Sequence, residues 1–144
     1  MKPGLEIGAR ATFRREVRPE EVVPKLFPDA RVMDDMPEVL ASAYMIAVFE
    51  WACLEQIAPF YEAGEGSLGT GFEFTHVAPT PPGQTVTVET EVEQIDGNFI
   101  WFRVRGHDGQ DMIGEGRHQR AIVSWDRFNA KVAAKRAAQA ERAD

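Results

Sequence analysis

"VLASAYMIAVFEWACLEQIAPFY" occupies residues 39–61, and its reading decides the fold. The run is too long for a strand, and its apolar residues continue around every side of a helical wheel. Pro37 and Glu38 suit a first helical turn, and the glycines of "EAGEG" (62–66) suit an end. The pattern predicts one helix over 39–61. A helix this apolar must be wrapped by other structure.

The segments around it are built for wrapping. "QTVTVETEVEQI" (84–95) alternates, with Val86, Val88 and Val92 on one face and Glu89, Glu91 and Glu93 on the other. "DGN" (96–98) and "HDGQD" (107–111) carry Asp-Gly turns, which predict hairpins. "FIWFRVRG" (99–106) and "MIGEGRHQRAIVSW" (112–125) are the next strands. In the latter, Gly114 and Gly116 predict a bulge or a close backbone approach. "GTGFEFTHV" (69–77) places Phe72, Phe74 and His76 on one face, and "APTPPG" (78–83) is a rigid turn. Ahead of the helix, "ATFRREV" (11–17) is a strand. Residues 18–37 hold four prolines and predict an irregular flap with one short helical turn. Residues 126–144 predict an alanine-rich polar helix or a tail ending in disorder.

The order is strand, flap, long helix, then four antiparallel strands. This is an α+β layout, that of the hot-dog fold, a long central helix wrapped by a curved antiparallel sheet. One such domain is expected over 1–144, with 18–37 as its lid. Open sheet edges, which a second copy would cover by pairing, predict a homodimer.

Composition narrows the function. The 144 residues carry a net charge of −7, which opposes binding to nucleic acid. The N-terminus shows no apolar run of a signal peptide, and no stretch reaches the roughly 18 apolar residues of a membrane span. The single cysteine, Cys53, permits no intrachain disulfide and fits a reducing cytoplasm. His76, His107 and His118 form no metal-binding spacing, and no phosphate loop, dinucleotide fingerprint or GxSxG is present. Acid/base or carboxylate chemistry without a cofactor remains.

Glu50 is the exception in the helix. Its helical neighbours Ile46, Ala47, Cys53 and Leu54 are all apolar. An ionised carboxylate there must be paired, neutralised or turned to a cavity. Two readings fit: a structural ion pair with an arginine from the sheet, or a base or nucleophile in a dry pocket. Arg120, which shares a strand face with His118 and Ile122, is the arginine placed to answer it. His76 faces inward and is either a satisfied core residue or a proton shuttle beside the carboxylate. Ser42 lies eight residues before Glu50, about 12 Å along a straight helix and about 80° around it. It either caps the helix or joins Glu50 through a helix break or a second chain. Gly66, Gly69 and Gly71 are either a flexible turn or a close approach of backbone N–H groups to a reacting carbonyl.

Five stretches then carry a resemblance: "PEVLASAYMIAVFEWAC" (37–53), "APFYEAGEGSLGT" (58–70), "THVAPTPPGQTVTV" (75–88), "HDGQDMIGEGRHQRA" (107–121) and "FNAKV" (128–132). Together they resemble the fluoroacetyl-CoA thioesterase family of hot-dog enzymes over nearly the whole chain. The "EAGEGSLGT" and "PTPPG" segments are specific. The resemblance implies hydrolysis of a short acyl-CoA with Ser42, Glu50 and His76 as catalytic residues. It implies Gly69 and Arg120 as substrate contacts, and a site at or near a dimer interface. Ser42 stands where the family has threonine, so the hydroxyl is kept and its rotamer-limiting methyl lost. Met33 and Met36 stand where the family's flap carries phenylalanines, which implies a more flexible apolar lid. Arg103, Arg105 and Arg117 are candidates for the CoA phosphates or simply a solvated face. Two alternatives remain: a non-catalytic acyl-CoA-binding module, and a hot-dog hydratase or dehydratase.

Overall fold

The computed structural model describes residues 1–143. Strand β1 (Arg10–Glu16) is followed by the flap, helix α1 (Ser42–Ile57) and four strands. These are β2 (Glu65–Phe74), β3 (Thr85–Asp96), β4 (Phe99–His107) and β5 (Met112–Ser124), and helix α2 (Trp125–Ala143) follows. The strands form one sheet in the order β1-β3-β4-β5-β2, and every pairing is antiparallel. The predicted α+β arrangement is thus present, with the sheet curled around α1.

The alternation in β3 works as read. Val86, Val88 and Val92 are buried, joined by Ile100, Phe102 and Val104 of β4 and Ile113 of β5. Against them α1 packs Met45, Val48, Phe49, Ala52, Cys53 and Ile57. The close approach predicted at Gly114 is also real. A Cβ there would run into the Thr75 carbonyl, so β5 and the chain leaving β2 meet only because it is glycine.

The helix boundaries differ from expectation. Residues 39–41 are not helical: the Val39 carbonyl, which a helix would need for the N–H of residue 43, accepts from Val23 N–H at 3.0 Å instead. Leu40 N–H donates to Thr80 O at 2.8 Å and Ala41 N–H to Glu21 O at 3.0 Å. Pro37 and Glu38 therefore precede the helix and do not form its first turn. Ser42 is the first helical residue and not the cap; Ala41 occupies the cap position without a side-chain bond. At the other end the chain tightens into a 3-10 turn over Ala58–Phe60. Pro59 lacks the N–H that would continue the α-helical ladder.

The flap holds three short 3-10 turns, Pro19–Glu21, Val23–Lys25 and Arg31–Met33, where one was expected. Prolines at the first or second position of the first two pre-set the backbone. The flap is tied down by the Val22–Leu40 bridge and by buried Glu21, whose Oε2 accepts from Arg15 at 2.7 Å. Strand β2 begins earlier than expected, so Gly66 lies within it together with Gly69 and Gly71, and it ends at Phe74, so His76 stands in the chain leaving the strand and not on the strand itself. Pairing with β5 from Glu65↔Ser124 onward accounts for this. The C-terminal segment is a helix with no buried residue among those described. The disorder expected at the chain end falls on residue 144, outside the described residues.

One face of α1 stays uncovered. Ala43 and Ala47 are exposed, and Ile46 and Leu54 are half-buried. Glu50 lies on this face, among the same apolar residues that the sequence places around it.

Candidate active site

Two polar clusters mark the helix. The first is at its N-terminal end, where Ser42 Oγ lies 2.7 Å from His76 Nδ1. Starting the helix at Ser42 points its hydroxyl away from the cap position and toward the chain that leaves β2. Burial lowers the pKa of His76 from its ordinary 6.5, a shift partly offset by the Ala78 backbone. Nε2 is buried with no partner at hydrogen-bond geometry. An imidazole that holds a serine hydroxyl through Nδ1 can take or return a proton. An apolar recess borders it, lined by Val23, Val39, Leu40, Val77, Ala78 and Pro79.

The second cluster surrounds Glu50. Arg120 Nη1 donates to Glu50 Oε2 at 2.9 Å. The same nitrogen lies 3.1 Å from His118 Nε2, while Nε donates to Ser67 Oγ at 2.7 Å and Nη2 to Ser67 O at 2.8 Å. Tyr61 OH is 2.5 Å from Ser67 Oγ. Four of the five guanidinium N–H groups are thus engaged, and one on Nη2 remains. The Arg120 side chain is 3% exposed and that of Glu50 33%, so a sealed cation holds a carboxylate that water can still reach. Glu50 Oε1 accepts no hydrogen bond from the described residues. Gly69 is paired with Arg120 across the sheet, and a Cβ on it would collide with Glu50 Oε2 and the Phe72 ring. The glycine makes room for the carboxylate.

The sheet arginine of the structural reading is therefore present, yet the carboxylate is not closed off by it. The imidazole beside Glu50 is that of His118, whose Nε2 is 3.8 Å from Oε2. His76 is engaged with Ser42 and makes no contact with Glu50 in the same chain. Ser42 and Glu50 lie on one unbroken helix, so no helix break joins them. Met33 is half-buried in the third flap turn and Met36 is exposed. Arg103 and Arg117 face Glu93, and Arg105 faces Glu115, on the outer sheet surface. Burial pushes the Cys53 thiol far up, so it stays protonated and is no rival nucleophile. No group of three or more His, Cys, Asp or Glu among the described residues is arranged to hold a metal.

The family model of the fluoroacetyl-CoA-specific thioesterase matches residues 22–126, which hold both clusters. The chain belongs to the fluoroacetyl-CoA thioesterase family. A curated fluoroacetyl-CoA thioesterase from Streptantibioticus cattleyicolor is 46% identical over 132 residues, 92% of this chain and 95% of the relative. A solved structure of the fluoroacetyl-CoA thioesterase FlK superposes with a TM-score of 0.89 at 45% identity, covering 92% of this chain and 98% of that one. A thioesterase-superfamily structure from Thermus thermophilus matches at 27% identity and a TM-score of 0.82, covering 99% of both chains. The hot-dog fold read from the sequence is the fold of these relatives.

Sequence reasoning gave no role to Ser67, Tyr61 or His118. The alternation of β5 does place His118 inward with Arg120. Nothing in the sequence fixes the β2–β5 register that brings Ser67 against them, since glycines at 66, 69 and 71 weaken the alternation of β2.

Proposed function

We propose that this thioesterase-family protein hydrolyses a short acyl-CoA thioester, of the fluoroacetyl-CoA kind, to the free acid and CoA. Ser42, Glu50 and His76 are the catalytic residues in this reading. Gly69 and Arg120, with Met33 and Met36 in the lid, shape the acyl site. Solved structures of FlK variants with fluoroacetate and CoA, and with acetyl-CoA, support a substrate of this size. The acetyl-CoA complex is of a threonine-to-serine variant, chemically the hydroxyl that this chain carries at Ser42.

The observation that carries the reading is Glu50 itself. One oxygen is fixed by a buried guanidinium at 2.9 Å, the other accepts no hydrogen bond from the described residues, and the glycine beside it lets the β2 backbone approach the carboxylate closely. The thioester carbonyl approaches the β2 backbone at Gly69. Glu50 either attacks it to give a mixed anhydride or takes a proton from the attacking water. CoA leaves as the thiol, with His76 supplying or removing the proton and Ser42 orienting the reacting group. Label found in the Glu50 carboxylate after single turnover in 18O-labelled water identifies the anhydride route, because only water attacking that anhydride at the Glu50 carbonyl puts it there.

Ser42 and Glu50 are about 12 Å apart along one helix, so a shared site needs two chains. The uncovered face of α1, with Ala43, Ala47 and Leu54 around Glu50, suits a second copy packed antiparallel. The Ser42–His76 pair of one protomer then faces the partner's Glu50. A reducing cytoplasm suits the free Cys53 thiol.

The test is thiol release measured over a panel of short acyl-CoAs. Hydrolysis liberates CoA; a hydratase or a binding module liberates none, and that result rejects the proposal.

A further inference from the structure

His118 is fully buried, yet both ring nitrogens have partners. Nδ1 lies 2.8 Å from Gly71 O. A carbonyl only accepts, so Nδ1 carries the proton. Nε2 lies 3.1 Å from Arg120 Nη1. A guanidinium only donates, so Nε2 offers its lone pair. A second proton on the ring would set donor against donor and cation against cation. The geometry therefore requires a neutral ring in one tautomer. Burial acts in the same direction, holding the imidazole below its ordinary pKa. At 3.8 Å from Glu50, a deprotonated Nε2 makes no ion pair with the carboxylate.

Phe72 lies over the ring, with centroids 4.6 Å apart, and Phe74 lies at 6.2 Å. The imidazole is locked in place by these rings and by the Gly71 carbonyl. Ser67 grips the Nε and Nη2 edge of the guanidinium. On the Nη1 edge, the partners are Glu50 and His118.

We propose that His118 is a positioning residue, which accepts one Nη1 hydrogen of Arg120 and so aims the other at Glu50 Oε2. Fixing Oε2 fixes where Oε1 points. This inference rests on Glu50 being the reacting carboxylate. It adds that the direction of Glu50 is set through Arg120 by a histidine that never touches substrate.

Two substitutions divide the functions of the ring. His118→Asn can keep the donor to Gly71 but does not reach Arg120. His118→Gln reaches as far as Nε2 and presents a carbonyl acceptor. Expected for His118→Asn is a fall in kcat for CoA release of about tenfold to a hundredfold, with KM moving less than about threefold. His118→Gln recovers most of that loss. The 15N NMR signals of the Arg120 side chain supply a readout that needs no turnover. Slower Nη1 rotation is expected in the unsubstituted protein and in His118→Gln than in His118→Asn, where only the Glu50 contact still holds that nitrogen. Equal behaviour of the two variants in both readouts overturns the proposal. Should His118→Asn not fold, imidazole 15N shifts of the unsubstituted protein decide instead. A protonated Nε2 at neutral pH overturns the assignment, and a lone pair there upholds it. If no acyl-CoA is hydrolysed, the functional reading fails, while the NMR experiments still decide whether His118 orients Arg120.

Discussion

Glu50 and Arg120 meet at 2.9 Å with unequal access to water: the arginine side chain is 3% exposed and the carboxylate 33%. The inequality is the basis of the role proposed for Glu50. A sealed cation needs its partner, while a partly open carboxylate can also serve a substrate.

Exchanging Glu50 for Gln keeps size and hydrogen bonding but removes the charge. Acyl-CoA hydrolysis is expected to fall at least about a hundredfold, the scale of a positioned base or nucleophile. Steady-state CoA release checks this, with circular dichroism to verify folding. Near-normal turnover removes Glu50 from the chemistry.

The same inequality makes a stability prediction. Glu50→Leu leaves a buried guanidinium without its counter-charge and is expected to cost about 3 kcal/mol, more than Glu50→Gln, which keeps an acceptor for Arg120. Urea denaturation measures both, and an equal or smaller cost for Glu50→Leu contradicts the burial argument.

A methyl group on Gly69 collides with Glu50 and Phe72. Gly69→Ala is expected to destabilise by about 1–3 kcal/mol, as overpacking does, and to lower kcat because the carboxylate is displaced. Unchanged kinetics and melting temperature would show that the approach is not tight.

Burial depresses the pKa values of His76 and His118 below 6.5. Below pH 6.5 the unfolded chain therefore holds more protons at these sites than the folded one, and acid favours unfolding. Stability from this source is complete above pH 6.5 and declines as pH falls through the folded values. A pH series of melting temperatures checks the sign, and His76→Asn should flatten part of the slope. Melting temperatures that rise on acidification through this window refute it.

A site shared between protomers makes a complementation prediction. Ser42→Ala and Glu50→Gln are each impaired alone, but a mixed dimer holds one intact pair. Equal mixing after subunit exchange should restore about a quarter of the unsubstituted activity, from half the dimers with one site each. No recovery despite confirmed exchange means the residues do not act across a two-fold axis.

Glu50, Arg120 and the glycines were legible as candidates because each breaks a local pattern: a charge in an apolar helix, a charge on an inward strand face, and gaps in an alternating strand. His76 was legible as inward, but its partner was not. The sequence suggests Glu50, while the structure pairs it with Ser42. Ser67 and Tyr61 break no pattern, and their roles arise from sheet register alone. The helix start was missed because the Val39 carbonyl accepts from Val23 N–H, a partner in the flap.

Periodicity and turn chemistry are local, so the sequence by itself determined the main helix and strands, their order and the faces of β3. Which carboxylate meets which cation depends on register and on where the helix begins. Those follow from hydrogen bonds between distant segments, and only the tertiary structure decided them.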